Sequence, residues 1–432
     1  TLERGEGCYV WDNQGNQYLE GLAGLWCTAL GYGNQEVIAT ATEQMNKLTF
    51  NHMFGGKTHQ VAIDLADKLA SMIPMDDAVI SFGNSGSDAN DTHIKLLRYY
   101  HEAIGKPERR KIIARDRSYH GVTVAAASLT GLPVTQNHFD LPVDALGILR
   151  TDHPHYYRGK QGNETETEFV DRIVGNLEEM IMKEGPETIA AFIAEPITGA
   201  SGVIVPPEGY YQKVQTVLDR HGIMFWADEV ITGFGRTGND FGCTTMGVKS
   251  PDMMTFAKQL SSAYMPISAS AVRRDVYDCM IEQSANAGAF GHGYTYSGHP
   301  VACAVALKVI EIYQRDEIFQ KAAVTGKYLQ KSLSQFRDHP LVGEVRGSGL
   351  LGAIELVANK EKGTPFVGGA VGGYAQKMAQ DNGLLIRAVA GSSLGFCPPL
   401  IITEMQIDEM MGKVAIALDK TLEHCQHNGL LV

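Results

Sequence analysis

Long apolar stretches are missing from this 432-residue sequence: no run approaches the roughly 18 residues that a membrane-spanning helix needs. The opening residues lack the basic-then-apolar order of a secretory signal. The chain begins on Thr1 rather than methionine, and we expect a preceding stretch to have been trimmed. Cysteine is scarce, 7 in all, and no two stand in Cys-x-x-Cys spacing, so free thiols in a reducing compartment are expected. Positive charge is in the minority, 37 Lys and Arg against 49 Asp and Glu, for a net charge of −12. That balance argues against nucleic-acid and anionic-membrane partners. Neither His120 nor His292 stands at metal-ligand spacing, and no internal repeat or low-complexity tract is visible. The absences describe a soluble, cytoplasmic protein with no metal site.

What is present is ordinary globular material, 44% hydrophobic and 20% charged, in a chain longer than one hydrophobic core usually serves. Short apolar runs read as buried strands: "AVISF" (78–82), "KIIAR" (111–115), "IAAFIA" (189–194), "IMFWA" (223–227) and "MMTF" (253–256). Helix-length amphipathic stretches at 87–104 and 208–222 lie between some of them. Buried strands alternating with helices predict parallel βαβ units in an open α/β sheet. After about residue 300 the texture turns to α+β, with a long helix, paired strands, a helix, two short strands and a final helix. The hairpin-like "CYVWDNQGNQYLEG" (8–21), turning at Asn13–Asn16, is expected to join that second unit. We therefore divide the chain into 1–50, the N-terminal part of a small domain, 51–300, a large domain, and 301–432, the C-terminal part of the small domain. The stretch 158–167, "RGKQGNETET", is the best candidate for an exposed loop.

Ligands of open α/β sheets gather at the carboxyl ends of the strands. After "AVISF" comes "GNSGSDAND" (83–91), small residues running into a helix start. Its free N–H groups and positive dipole end suit an anion, although Ser85 or Ser87 also reads as a plain N-cap ahead of Asp88. The spacing matches neither the dinucleotide fingerprint nor the Walker loop. After "IMFWA" comes Asp228, either a loop cap or the partner of a buried cation. After "MMTF" comes Lys258, flanked by Phe256, Ala257 and Leu260. A lysine so placed is either a solvated surface group or a desolvated amine nucleophile. An anion cradle, a carboxylate and a desolvated lysine together fit pyridoxal 5'-phosphate: the lysine anchors it, the carboxylate pairs with its ring nitrogen, and the helix start takes its phosphate.

The segment "DEVITGFGRTG…PDMMTFAKQLSSAYMP" resembles the signature of class III aminotransferases, in the branch of the omega-amino-acid and amine:pyruvate transaminases. The resemblance runs from "GCYVWDNQGNQYLEGLAGLWC" to the end of the chain, with Ala263 at a position more often glycine. It implies fold type I, a large domain around a mixed, mostly parallel sheet with a smaller α+β terminal domain. It also implies a homodimer with shared sites, or a tetramer of such dimers. It assigns Lys258 and Asp228 to catalysis, and Gly86, Ser87, Tyr119, Glu195, Val230 and Thr295 to the cofactor. Tyr119 would stack on the ring, Val230 pack beneath it and Glu195 stand near its hydroxyl side. Thr295 would reach the phosphate of the other subunit. Trp26 and Arg387 match substrate-binding positions, an aromatic wall and an arginine gripping a carboxylate, while Phe54 is a candidate for the entrance. Glu229 and Arg236 read as structural, with Arg236 paired locally. The implied reaction is ping-pong transfer of an amino group from an amine or omega-amino acid to pyruvate or a similar 2-oxo acid. An aminomutase or a dialkylglycine-type decarboxylase would share the fold. A non-catalytic cofactor-binding regulator would usually carry a DNA-binding segment, and none is visible.

Overall fold

The structure, a computed structural model, describes residues 1–432 apart from the side chain of Ala287. Strands β1 (Leu2–Glu6), β2 (Tyr9–Asp12) and β3 (Gln17–Glu20) open the chain. They are followed by β4 (Val79–Gly83), β5 (Lys111–Arg115), β6 (Ile148–Thr151), β7 (Ile189–Ala194), β8 (Met224–Asp228), β9 (Met253–Phe256) and β10 (Ser268–Val272). The last third carries β11 (Val342–Ser348), β12 (Leu351–Asn359), β13 (Thr364–Pro365), β14 (Leu384–Leu385), β15 (Arg387–Val389) and β16 (Ser393–Phe396).

A seven-stranded sheet in the order β4-β10-β9-β8-β7-β5-β6 is the centre of the molecule. Only β10 runs against its neighbours, pairing antiparallel with both β4 and β9. The other contacts, from β9 through β8, β7 and β5 to β6, are parallel. The residues explain this arrangement. Strands β7, β8, β9 and β10 are buried along their whole length, so they read as unbroken apolar or small-residue runs rather than alternations. Helices Gly86–Ala103 and Tyr210–His221 follow the pattern read from sequence within two residues at each end.

Two smaller sheets complete the fold. The N-terminal hairpin forms a four-stranded sheet with β14, order β1-β2-β3-β14, in which β14 lies parallel to β3. Strands β11, β12, β16 and β15 form an antiparallel sheet, with β13 beside β12. Among the described residues no helix is long and apolar enough to cross a membrane, and all seven cysteines are unpaired.

Two local expectations change. The stretch 158–167 is not one exposed loop: Tyr156–Gly159 is a short helix and Glu166 starts a 19-residue helix. Arg158 is tied to Glu355 at 2.6 Å. Arg236 does not pair locally. It is fully buried and donates to the carbonyl of Pro398, distant in sequence, because the glycines around it fold the loop under the turn at Gly349, where Leu350 N–H bonds back to Arg236 O.

Candidate active site

Six strands of the central sheet point the same way, and the loops leaving β4, β5, β7, β8 and β9 meet at one edge. There they enclose a cavity of about 710 Å³. Gly86, Ser87, Tyr119, Glu195, Asp228, Val230, Lys258, Trp26 and Arg387 all line it. Thr295 does not: it is exposed, in the turn before helix Pro300–Arg315. Phe54 also lies outside, with its ring against Gly293.

The cap reading holds for Ser85. Ser85 caps helix Gly86–Ala103 in a capping box with Asp88, whose carboxylate accepts the N–H groups of Asn84 and Ser85. The amides of Gly86 and Ser87, in the first turn, lack a partner within the helix, and both residues line the cavity. Close approach is possible because of glycine. A Cβ on Gly86 would lie 2.9 Å from Val230 Cγ2, and one on Gly121 (φ +128°) would lie 2.5 Å from Ser87 Oγ. Ser87 Oγ also accepts the N–H of Val122 at 3.1 Å.

Lys258 stands directly beyond β9 in left-handed backbone, φ +48°, a conformation that costs free energy for a non-glycine residue and marks constraint. Its amine has no hydrogen-bond or ion-pair partner among the described residues. Burial pulls that amine below the ordinary lysine range, while the nearby carboxylates of Asp228 and Glu195 act the other way. The side chain is open to the cavity yet shielded from bulk water, so the loss of hydration dominates.

Asp228 ends β8, 3% exposed, and it is heavily partnered. Its Oδ2 meets His120 Nδ1 at 2.8 Å and accepts from Asn90 Nδ2 at 3.1 Å, while Oδ1 accepts the N–H of Val230 at 3.2 Å. Glu195, at the end of β7, accepts the N–H of Tyr119 at 2.9 Å and of Gly199 at 3.0 Å. Burial pushes its carboxyl upward. Glu229 is a structural acid, accepting the amides of Gly242 and Cys243 at 3.0 and 2.6 Å. The sequence reading missed the partners of Asp228. Asn90 carries no charge or motif, and His120, within "SYHG" beside Tyr119, drew notice only as a false metal ligand.

The residues fit pyridoxal phosphate on their own evidence: an unpartnered amine, a buried carboxylate, free first-turn amides and glycine-permitted approach converge on one cavity. Comparison with known proteins decides the family. The profile described as aminotransferase class-III matches residues 1–418. The chain belongs to the class III aminotransferases. This class III aminotransferase is a pyridoxal-phosphate-dependent enzyme of the transferase type, with the fold type I architecture. It is 47% identical over 423 residues to gamma aminobutyrate transaminase 3, chloroplastic, of Solanum lycopersicum, covering 98% of this chain and 81% of the relative. It is also 47% identical to gamma-aminobutyrate transaminase 1, mitochondrial, of Oryza sativa subsp. japonica, covering 98% and 82%. Among solved structures, the omega transaminase from Pseudomonas jessenii in complex with PMP superposes with a TM-score of 0.95 at 48% identity, covering 98% of this chain and 92% of that one. A thermostable omega transaminase variant engineered for bulky amines gives 0.96 at 48%, covering 98% and 93%.

Proposed function

We propose that this aminotransferase moves an amino group from an amine or omega-amino acid, 4-aminobutyrate included, to pyruvate or a similar 2-oxo acid. The observation that carries this reading is one cavity that brings the unpartnered Lys258 amine, the buried Asp228 carboxylate and the Gly86–Ser87 turn together with the buried Trp26 and the exposed Arg387. The relatives, gamma-aminobutyrate and omega transaminases, support both donor classes.

Bound in this cavity, pyridoxal phosphate supplies a carbonyl for the amine and a ring that withdraws electrons from the substrate carbon. The chain's own residues do the rest. The amides of Gly86 and Ser87 would take the phosphate at the helix N-terminus. Asp228 would pair with the ring nitrogen, and Val230, Tyr119 and Glu195 would hold the ring. The Lys258 amine would anchor the cofactor, and once released its Nζ would carry the proton taken from the substrate carbon, a task its depressed basicity suits. Arg387 receives the acceptor's carboxylate as a two-pronged donor, and Trp26 bounds the side-chain pocket.

Thr295, outside its own cavity, fits a role at the phosphate of a second copy. Apolar residues left uncovered near the mouth, Leu25 and Val134 among them, support a homodimer and leave a tetramer open to the same interface logic. The division at 50 and 300 is supported by sheet membership, since the central strands fall between 79 and 272 while β3 pairs with β14. The seven unpaired thiols support a reducing compartment, the cytoplasm in our reading.

The test is a panel of donors, 1-phenylethylamine and 4-aminobutyrate, against pyruvate and 2-oxoglutarate. Turnover of both donors with pyruvate is expected. Transfer to 2-oxoglutarate alone would remove pyruvate from the reading, and carbon dioxide release would favour the decarboxylase. Borohydride reduction of the holoenzyme followed by peptide mapping should place the cofactor on Lys258. An adduct on another lysine would overturn the site assignment.

A further inference from the structure

A chain of hydrogen bonds runs into Asp228 from the interior of the sheet, and its direction can be worked out atom by atom. Trp226 and Asp228 are two apart on β8, so their side chains leave the same face. Thr255 on β9 is the register partner of Asp228. The Trp226 indole N–H can only donate, and it lies 2.8 Å from Thr255 Oγ1. The threonine oxygen is therefore the acceptor, and its own hydrogen is directed at Asn90 Oδ1, 2.8 Å away. That agrees with the other end of the asparagine amide, which lies beside two acceptors. Its carbonyl oxygen faces Thr255. Its NH2 group faces the other way, donating to the backbone carbonyl of His120 at 2.6 Å and to Asp228 Oδ2 at 3.1 Å.

Trp226, Thr255 and Asn90 are each 0% exposed, so no water competes for these bonds. His93, one helical turn beyond Asn90, stands edge-on to the Trp226 ring at 5.0 Å and holds Met254 O through Nε2 at 3.0 Å. The indole is thus braced on both sides. With the amide set by this route, two of the three donors on Asp228, Asn90 Nδ2 and His120 Nδ1, converge on a single oxygen, and the Asn90 amide also grips the backbone that carries His120.

We propose that Trp226 and Thr255 are positioning residues for the cofactor's ring nitrogen. They polarise Asn90 through a one-way relay, and Asn90 in turn orients the Asp228 carboxylate and the His120 segment. Without the threonine hydroxyl Asn90 Oδ1 loses its donor, and the amide is held from the Asp228 and His120 side alone. Its NH2 group is then a less polarised and less firmly aimed donor to the carboxylate. The inference rests on Asp228 being the ring partner and deepens that reading by naming what aims it.

The experiment compares Thr255→Val, which keeps the shape and removes the hydroxyl, with Thr255→Ser, which restores it, and uses Asp228→Asn as the reference. Three quantities are read on the holoenzyme: cofactor retention after ultrafiltration, the pH midpoint of the bound cofactor's absorbance, and the single-turnover rate with 1-phenylethylamine. Thr255→Val should slow the single turnover by about tenfold, the worth of one buried hydrogen bond between neutral groups, with little change in the amine concentration giving half-maximal rate. It should displace the absorbance midpoint in the same sense as Asp228→Asn, and Thr255→Ser should return both to wild type. If Thr255→Val fails to fold, Trp226→Phe removes the first donor alone and should show a smaller displacement in the same sense. Normal rate and absorbance in Thr255→Val, beside an impaired Asp228→Asn, would overturn the relay. Equal impairment in Val and Ser would overturn it too, since packing would then be the cause. A normal Asp228→Asn would instead overturn the site reading beneath it.

Discussion

Gly86 leaves almost no room between the helix start and Val230. A methyl group there would come 2.9 Å from Val230 Cγ2, so Gly86→Ala should push the valine or the helix start out of place. Overpacking of this kind costs about 1–3 kcal/mol, and we expect cofactor affinity to fall by tenfold or more in equilibrium dialysis. Unchanged affinity would mean that the first-turn amides do not hold the phosphate. Arg387, exposed at the cavity, offers the complementary test. Arg387→Ala should slow the half-reaction with pyruvate by about tenfold or more, as expected for a lost charged hydrogen bond, while the half-reaction with 1-phenylethylamine changes little. Equal losses would make Arg387 a support of the pocket rather than a carboxylate binder. Lys258, Asp228 and the Gly86–Ser87 turn were legible because each ends a strand or begins a helix and carries a residue type unusual there. Asn90, His120 and Thr255 were not, because their significance comes from the fold bringing four distant positions within hydrogen-bond reach.

The loop between β9 and β10 shows the same limit for elements. It carries three residues in left-handed backbone that sequence does not announce: Lys258 at φ +48°, Ser262 at +50° and Ala263 at +62°. Ser262 uses its position to accept the N–H of Leu30 at 2.8 Å, and Tyr264 takes that of Asn34 at 2.7 Å, so the loop pins the segment that follows Trp26. Ala263 has no such bond through its side chain and bears the strain of a Cβ alone. Ala263→Gly should therefore stabilise the protein, by up to about 1 kcal/mol after glycine's greater freedom in the unfolded chain is counted. Urea unfolding of the holoenzyme would register this as a higher midpoint, and a lower one would show that the strain is relieved elsewhere. The strands read from sequence were those rich in large apolar residues. Strand β10, "SASAV", escaped notice because its burial rests on serine and alanine, and β6 because it is a short edge strand.

For the molecule as a whole, acid sensitivity has a traceable source. Burial holds His93 down at about 4, from an ordinary 6.5. As pH falls from 6.5 towards 4, the unfolded chain takes up a proton at this residue and the native protein does not, so stability is present above that window and is lost through it. The full loss from this residue is about 3 kcal/mol. Buried Glu20, Glu195 and Glu229, whose carboxyls burial pushes upward, contribute in the opposite sense, so the informative quantity is a difference. His93→Gln, which keeps a donor for Met254 O, should lose less stability between pH 6.5 and 4 than the wild type, measured by urea unfolding at each pH. Parallel curves would show that His93 is protonated in the native protein. The parallel pairing of β14 with β3 has a consequence in time rather than in energy. On a ribosome adding about 5–20 residues per second, β3 is made roughly 20–70 s before its partner. Throughout that interval the β3 edge has no strand to pair with, and it is closed only when Leu384 and Leu385 arrive.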